Sequence, residues 1–191
     1  MLPVISSGFY LPFALLKDNM LTHLESPRID KILNALQCQG ERNDCGPFSA
    51  ATVINSLKET QINALDLAQE MNRPTWRGPL FIVRRVPNWA TFPWGIVDVF
   101  RQHGLRASWR ALATEEQLKT GLGRGDVLLP IVGEWKPLWA HVMTLVAWDA
   151  EKGWGFANTQ YPHHQVDWWS AVTISKQWRN MGRLLIEVKT P

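Results

Sequence analysis

Cys45 opens a helical pattern six residues after Gln39, in the run Gln39-Gly40-Glu41-Arg42-Asn43-Asp44-Cys45-Gly46-Pro47. A thiol attacks a carbonyl only as thiolate, and the partial positive charge and free N–H groups of a helix N-terminus lower its pKa. The Gln39 amide is spaced to reach the carbonyl under attack, beside the backbone N–H of Cys45. Two such donors would form an oxyanion hole. Farther on, Trp139-Ala140-His141-Val142-Met143-Thr144 places a histidine at the head of an apolar strand. Asn158 follows it by 17 residues, beyond a turn and a second short strand. Cysteine, histidine and an orienting amide, distant in sequence and joined by folding, are the working parts of a thiol hydrolase.

Each of these residues has a plainer use as well. A lone cysteine is more often packing than nucleophile, and a lone strand histidine is usually structural. The setting favours chemistry: a polar approach, a helix opening at Cys45, and Gly46, which lets a substrate backbone come close. Asp44 or Asn43 is the expected N-cap, with Pro47 in the first turn, where its missing N–H does no harm. Gln37 competes with Gln39, which the six-residue interval favours. In the orienting role, Asp149 is too distant, about 25 Å from His141 along an extended strand, while Asp167 remains open. His141, His163 and Cys45 could be imagined around zinc. Adjacent histidines such as His163 and His164 rarely converge on one ion, and no Cys-x2-Cys spacing occurs, so no metal is expected. Cys38 is expected to be a buried small hydrophobe, and a Cys38–Cys45 bridge would be an oxidative or regulatory event that consumes the nucleophile.

The elements that must position these groups are legible from periodicity. Ala50, Ala51, Ile54 and Leu57 recur at helical spacing through a helix from Cys45 to Lys58, with Val53 widening the stripe, which suits a central helix. A second helix is expected over Ile62–Met71, a loop with a short strand at Phe81–Val86, and a helix from Pro93 to His103. Thr114 and Gln117 form a capping box for a helix ending near Gly121. Gly121, Gly123 and Gly125 close that helix and lack a Gly-Lys-Ser/Thr, which excludes a phosphate loop. Strands are expected at Arg106–Ala111, Val127–Val132, His141–Trp148, Trp154–Asn158 and Leu184–Val188, with a loop at Gly133–Leu138. Helices first and strands later indicate an α+β fold, with the nucleophile helix against a C-terminal antiparallel sheet. Residues 1–30 read as an extended arm with turns at Ser6-Ser7-Gly8 and Ser26-Pro27-Arg28, ahead of a domain over residues 31–191.

With these parts in place, the chain resembles the papain-fold cysteine peptidases that process bacteriocin leaders, and their free-standing relatives. The segments QGERNDCGPFSAATVINSL, TFPWGIVDVFRQHGLRASWR, EEQLKTGLGRGDVLLPIVGEW, WAHVMTLVAWD and GWGFANTQYP occur in the family's order over about residues 33–188. The resemblance implies a papain-like fold, Cys45 as nucleophile, His141 as general base, Asn158 as the residue orienting the imidazole, and Gln39 as oxyanion donor. Close relatives usually carry aspartate in the third role, whereas papain carries asparagine as here. The leader-processing members are fused to a transporter that has no counterpart in this sequence, so their double-glycine specificity is not transferred.

At 191 residues, 46% hydrophobic and 19% charged, the chain has the make-up of one folded domain. A net charge of +3, with basic residues scattered, predicts neither a nucleic-acid partner nor an anionic membrane. Met1–Leu16 is apolar, but it lacks a basic n-region and is too short to span a bilayer. Two cysteines suit a reducing compartment, and the cytoplasm is preferred over secretion. Eleven tryptophans against two tyrosines stand out, and Trp94, Trp135 and Trp139 are the candidates for an aromatic substrate cleft. The expected partner is a peptide or protein substrate, with no cofactor. Alternatives are an acyltransferase, transpeptidase or isopeptidase using the same thioester, or a non-catalytic peptide-binding module. An arm lying in the cleft would make a latent enzyme.

Overall fold

The computed structural model describes residues 22–190, so the turn expected at Ser6-Ser7-Gly8 lies outside the described residues. A short strand, β1 (His23–Glu25), precedes three helices, α1 (Ile29–Asn34), α2 (Cys45–Lys58) and α3 (Ala64–Met71). Two small hairpins follow: β2 (Thr75–Arg77) with β3 (Leu80–Ile82), and β4 (Arg85–Val86) with β5 (Ala90–Thr91). Next come α4 (Pro93–Gln102), β6 (Arg106–Arg110) and α5 (Glu115–Gly123). The strands β7 (Val127–Trp135), β8 (Leu138–Val142), β9 (Thr144–Asp149), β10 (Gly153–Ala157) and β11 (Asp167–Trp169) succeed them. Helix α6 (Ala171–Asn180) and β12 (Leu185–Lys189) complete the order. No helix among the described residues is long and apolar enough to cross a membrane.

Every strand pair is antiparallel, in the order β11-β10-β9-β7-β12-β6, with β1 added to β9 and β8 to β7. Strand β7 is apolar at every position from Val127 to Val132 because both of its faces are covered. Its alternate residues Val127, Leu129 and Ile131 join a core shared with α1, α2, α3 and α4. Leu128 and Val132 join a second core with α5, α6, Trp154 and Phe156. Helix α2 is buried on nearly all sides, which fits its run of small and branched apolar residues. Its buried Ser49 hydroxyl is satisfied by donating to the Val142 carbonyl at 3.1 Å, tying the helix to the end of β8.

Several sequence expectations are corrected. Helix α3 starts at Ala64, not Ile62, because Asn63 caps it by accepting from the N–H groups of Leu65 and Asp66. Ile62 is meanwhile held outside the helix by the Asn55 side chain, which bonds both its N–H and its carbonyl. The expected loop over residues 75–91 forms the two hairpins. The strand expected from His141 to Trp148 is broken at Met143, and β7 runs on to Trp135, so His141 lies near the end of β8 rather than at a strand's head. Cys38 is exposed rather than buried, and both cysteines are free thiols. The Thr114–Gln117 capping box forms with both reciprocal bonds, although the helix continues to Gly123.

Helix α6 and strand β11 were not read from the sequence. Only Ile174 and Trp178 of α6 are buried, one turn apart, which is too sparse a stripe to stand out. The signal that was there is Ser170, which accepts from the Thr173 N–H as an N-cap. Trp178 anchors the helix: it is 1% exposed and its indole N–H donates to the Leu184 carbonyl at 2.7 Å. Trp178→Ala should therefore destabilise the fold by about 3–5 kcal/mol. Urea unfolding should show this as a lower midpoint with an unchanged slope.

Candidate active site

The N-terminus of α2 is not capped as expected. Asp44 occupies the N-cap position but makes no side-chain cap bond. Its carboxylate instead accepts from Arg85 Nη2 on β4, whose side chain is 1% exposed. Two effects follow at Cys45. The first N–H groups of the helix are left without a side-chain acceptor, and the carboxylate next to the thiol is neutralised by a buried cation. The β4–β5 hairpin is fastened at two further points. Asn43 Nδ2 donates to the Asn88 carbonyl at 3.0 Å, and Thr91 fills the space beside Gly46. A Cβ at position 46 would lie 2.5 Å from Thr91 Cβ, so the glycine admits this chain's own hairpin rather than a substrate backbone.

His141 faces Cys45 from the sheet, with Asn158 behind it. His141 is 8% exposed, near the end of β8, and Asn158 is 1% exposed, just past β10. His141 Nε2 lies 2.8 Å from Asn158 Oδ1, an atom that can only accept, so Nε2 carries a proton and Nδ1 is left for the Cys45 thiol. Burial pushes the Cys45 thiol up, but the hydrogen bond and charge of His141, with backbone hydrogen bonds at Val142 and Gly46, outweigh it and leave the thiol below its ordinary range. Burial likewise pushes His141 down. Its pairing with Cys45, the Asn158 hydrogen bond and the charge of Asp167 reverse this and raise it. Opposite shifts in adjacent groups narrow the gap between them and so move the pair towards thiolate facing imidazolium.

Gln39 is 6% exposed and positioned by its backbone N–H, which donates to the Thr159 carbonyl at 2.7 Å. Its Oε1 accepts from the Thr159 hydroxyl and its Nε2 donates to the Arg42 carbonyl, both at 2.7 Å. The other Nε2 hydrogen has no partner among the described residues, and an oxyanion donor needs one such hydrogen. Gln37 is committed elsewhere, with its amide on the Ile62 carbonyl and the Ala64 N–H. Asp149 binds the N–H groups of Glu151 and Lys152 and the ring of His23. His163 stacks on Tyr161, and His164 bonds the Leu33 carbonyl.

The three tryptophans separate. Trp135 is 66% exposed at the end of β7, opposite the exposed Leu138 and three positions beyond Val132, the cross-strand partner of His141. Trp139 packs against the second core. Trp94 stacks on Phe92 and faces Trp109 across a groove of about 550 Å³, lined also by Arg77, Asp98 and Arg101, that none of Cys45, His141 or Asn158 lines. Sequence reading missed Arg85 and Thr91, since an Arg-Arg pair and a threonine in a loop carry no motif.

No family model matches the chain, and no curated protein matches it by sequence. Among solved structures it is similar to a "putative C39-like peptidase" from Bacillus anthracis. The TM-score is 0.66 at 11% identity, over 88% of this chain and 98% of that one. The fold is thus the α+β fold of papain-like, C39-type peptidases.

Arg85→Met should cost about 3–5 kcal/mol, because it leaves the Asp44 carboxylate buried and unpaired. Adding Asp44→Asn should recover most of that loss in urea unfolding. The single variant, but not the double, should also move the midpoint of Cys45 alkylation to higher pH, since an uncompensated carboxylate opposes the thiolate.

Proposed function

We propose that this protein is a thiol-dependent peptide hydrolase. The observation that carries the reading is the buried pair His141–Asn158, with the imidazole Nε2 at 2.8 Å from the amide oxygen, beside a half-buried Cys45 thiol that His141 holds below its ordinary range. The fold likeness to a C39-like peptidase is in keeping with it. The Cys45 proton passes to His141 Nδ1, and the thiolate attacks the peptide carbonyl carbon. The tetrahedral oxygen is held by the Cys45 backbone N–H and the free Gln39 Nε2–H. His141 then gives its proton to the departing amine as the C–N bond breaks, leaving a thioester on Cys45. Water, deprotonated by His141, adds to the thioester and releases the acid and the thiol. Exposed Trp135 and Leu138, on the hairpin that leads to His141, offer an apolar hold for a substrate side chain. An amine in place of water would turn the same thioester to transfer or transpeptidation.

Incubation with a mixed peptide pool, read by mass spectrometry, tests this directly. The expected result is new peptide termini with the wild type, loss of at least about 10³-fold in rate in Cys45→Ala, and hydroxamates when hydroxylamine competes with water. Peptides left intact, or cut equally by Cys45→Ala, would refute the proposal.

A further inference from the structure

Asn158 has two near-isosteric ends, and only its partners decide which one faces His141. Its Nδ2 lies 2.7 Å from Asp167 Oδ2, and that same oxygen takes the Trp169 indole N–H at 2.9 Å. Strand pairing delivers the carboxylate: Asp167 opens β11 directly opposite Phe156, two residues before Asn158. An ionised carboxylate only accepts, so it draws the amide N–H to itself and turns Oδ1 towards the imidazole. The Gln160 N–H, at 3.1 Å from Oδ1, supports the same orientation.

We propose that Asp167 is a positioning residue that acts through Asn158, so that amide and carboxylate together do for His141 what a single carboxylate would do in direct contact. The proposal rests on the reading of Cys45 and His141 as the reacting pair. Asp167 fixes the Nε2–H tautomer, which keeps Nδ1 towards the thiol, and its charge favours the imidazolium. Of the groups around His141, Cys45 from α2 and Asp167 from β11 are the titratable ones that act on it. Its cross-strand neighbour on β7 is Val132, and Asp44, next to Cys45, is paired with Arg85.

The test is an exchange of the two side chains. Cys45 alkylation by iodoacetamide is followed against pH in the wild type, in Asp167→Asn and in Asn158→Asp/Asp167→Asn, with exposed Cys38 as internal control. Asp167→Asn should raise the Cys45 midpoint, slowing labelling on the acid side about tenfold for each unit of rise. The exchanged pair keeps one carboxylate and one amide, so its midpoint should return towards that of the wild type. Asn158→Asp alone, which sets two carboxylates face to face, should do worse than the exchanged pair. A wild-type profile in Asp167→Asn overturns the proposal, as does an exchanged pair shifted as far as Asp167→Asn. If Asp167→Asn does not fold, the exchanged pair decides by itself: a wild-type midpoint supports the proposal and an ordinary thiol midpoint overturns it. An ordinary midpoint for Cys45 in the wild type sinks the reacting pair too, which separates that failure from failure of Asp167 alone.

Discussion

Burial at the seam between α2 and the sheet sets one constraint on the candidate site: it opposes charge on Cys45 and on His141, and each leans on the other to ionise. For each group the largest influence is desolvation, which opposes its charge, and each is turned round chiefly by the other. In the proposed reaction the pair would act as one unit, its proton moving between sulfur and nitrogen without a net charge entering the interior. This requires the two atoms to be held in register from opposite sides of the core. The burial of α2 on nearly all its surface and the Ser49–Val142 bond supply that rigidity.

The same demand explains the polar groups around the pair. A capping carboxylate at Asp44 would have taken the N–H groups that a thiolate or oxyanion can use and placed a negative charge beside the sulfur. Arg85 draws it away and neutralises it, bringing the β4–β5 hairpin with it. Gly46 is small because Thr91 must lie against it. On the other side Asn158 is fixed by neighbours at both its ends. Buried polar groups of this kind are costly unless fully partnered, and among the described residues Arg85 Nε and Nη1 and Thr91 Oγ1 have no hydrogen-bond partner, so holding the hairpin here carries a cost.

How much of this was legible in the sequence follows from whether each signal is local. The α2 helix and the Thr114 capping box carry their information within one or two turns, and both are present in the structure. The α+β architecture follows from the order of patterns along the chain. What was not legible depends on contacts between distant segments. Asp44 reads as a cap until Arg85, 41 residues away, offers its carboxylate a stronger partner. Cys38 reads as buried by residue type, yet it is exposed between buried Leu36 and Gln39. In the candidate site, the spacing of Gln39, Cys45, His141 and Asn158 could be listed from sequence, but Asp167 could be placed only once β11 was paired with β10. The tryptophans were judged by composition, and tertiary packing sent Trp94, Trp135 and Trp139 to three different surroundings.

In the proposed mechanism the resting site holds a thiolate facing an imidazolium. The most direct measurement is the ultraviolet thiolate absorbance of the wild type minus that of Cys45→Ala, followed against pH. This difference signal should persist into the range of activated cysteines, about pH 3.5–7.5, and disappear there in His141→Ala. A signal that grows in only around pH 8.5, as for a free cysteine, and is indifferent to His141 would contradict it.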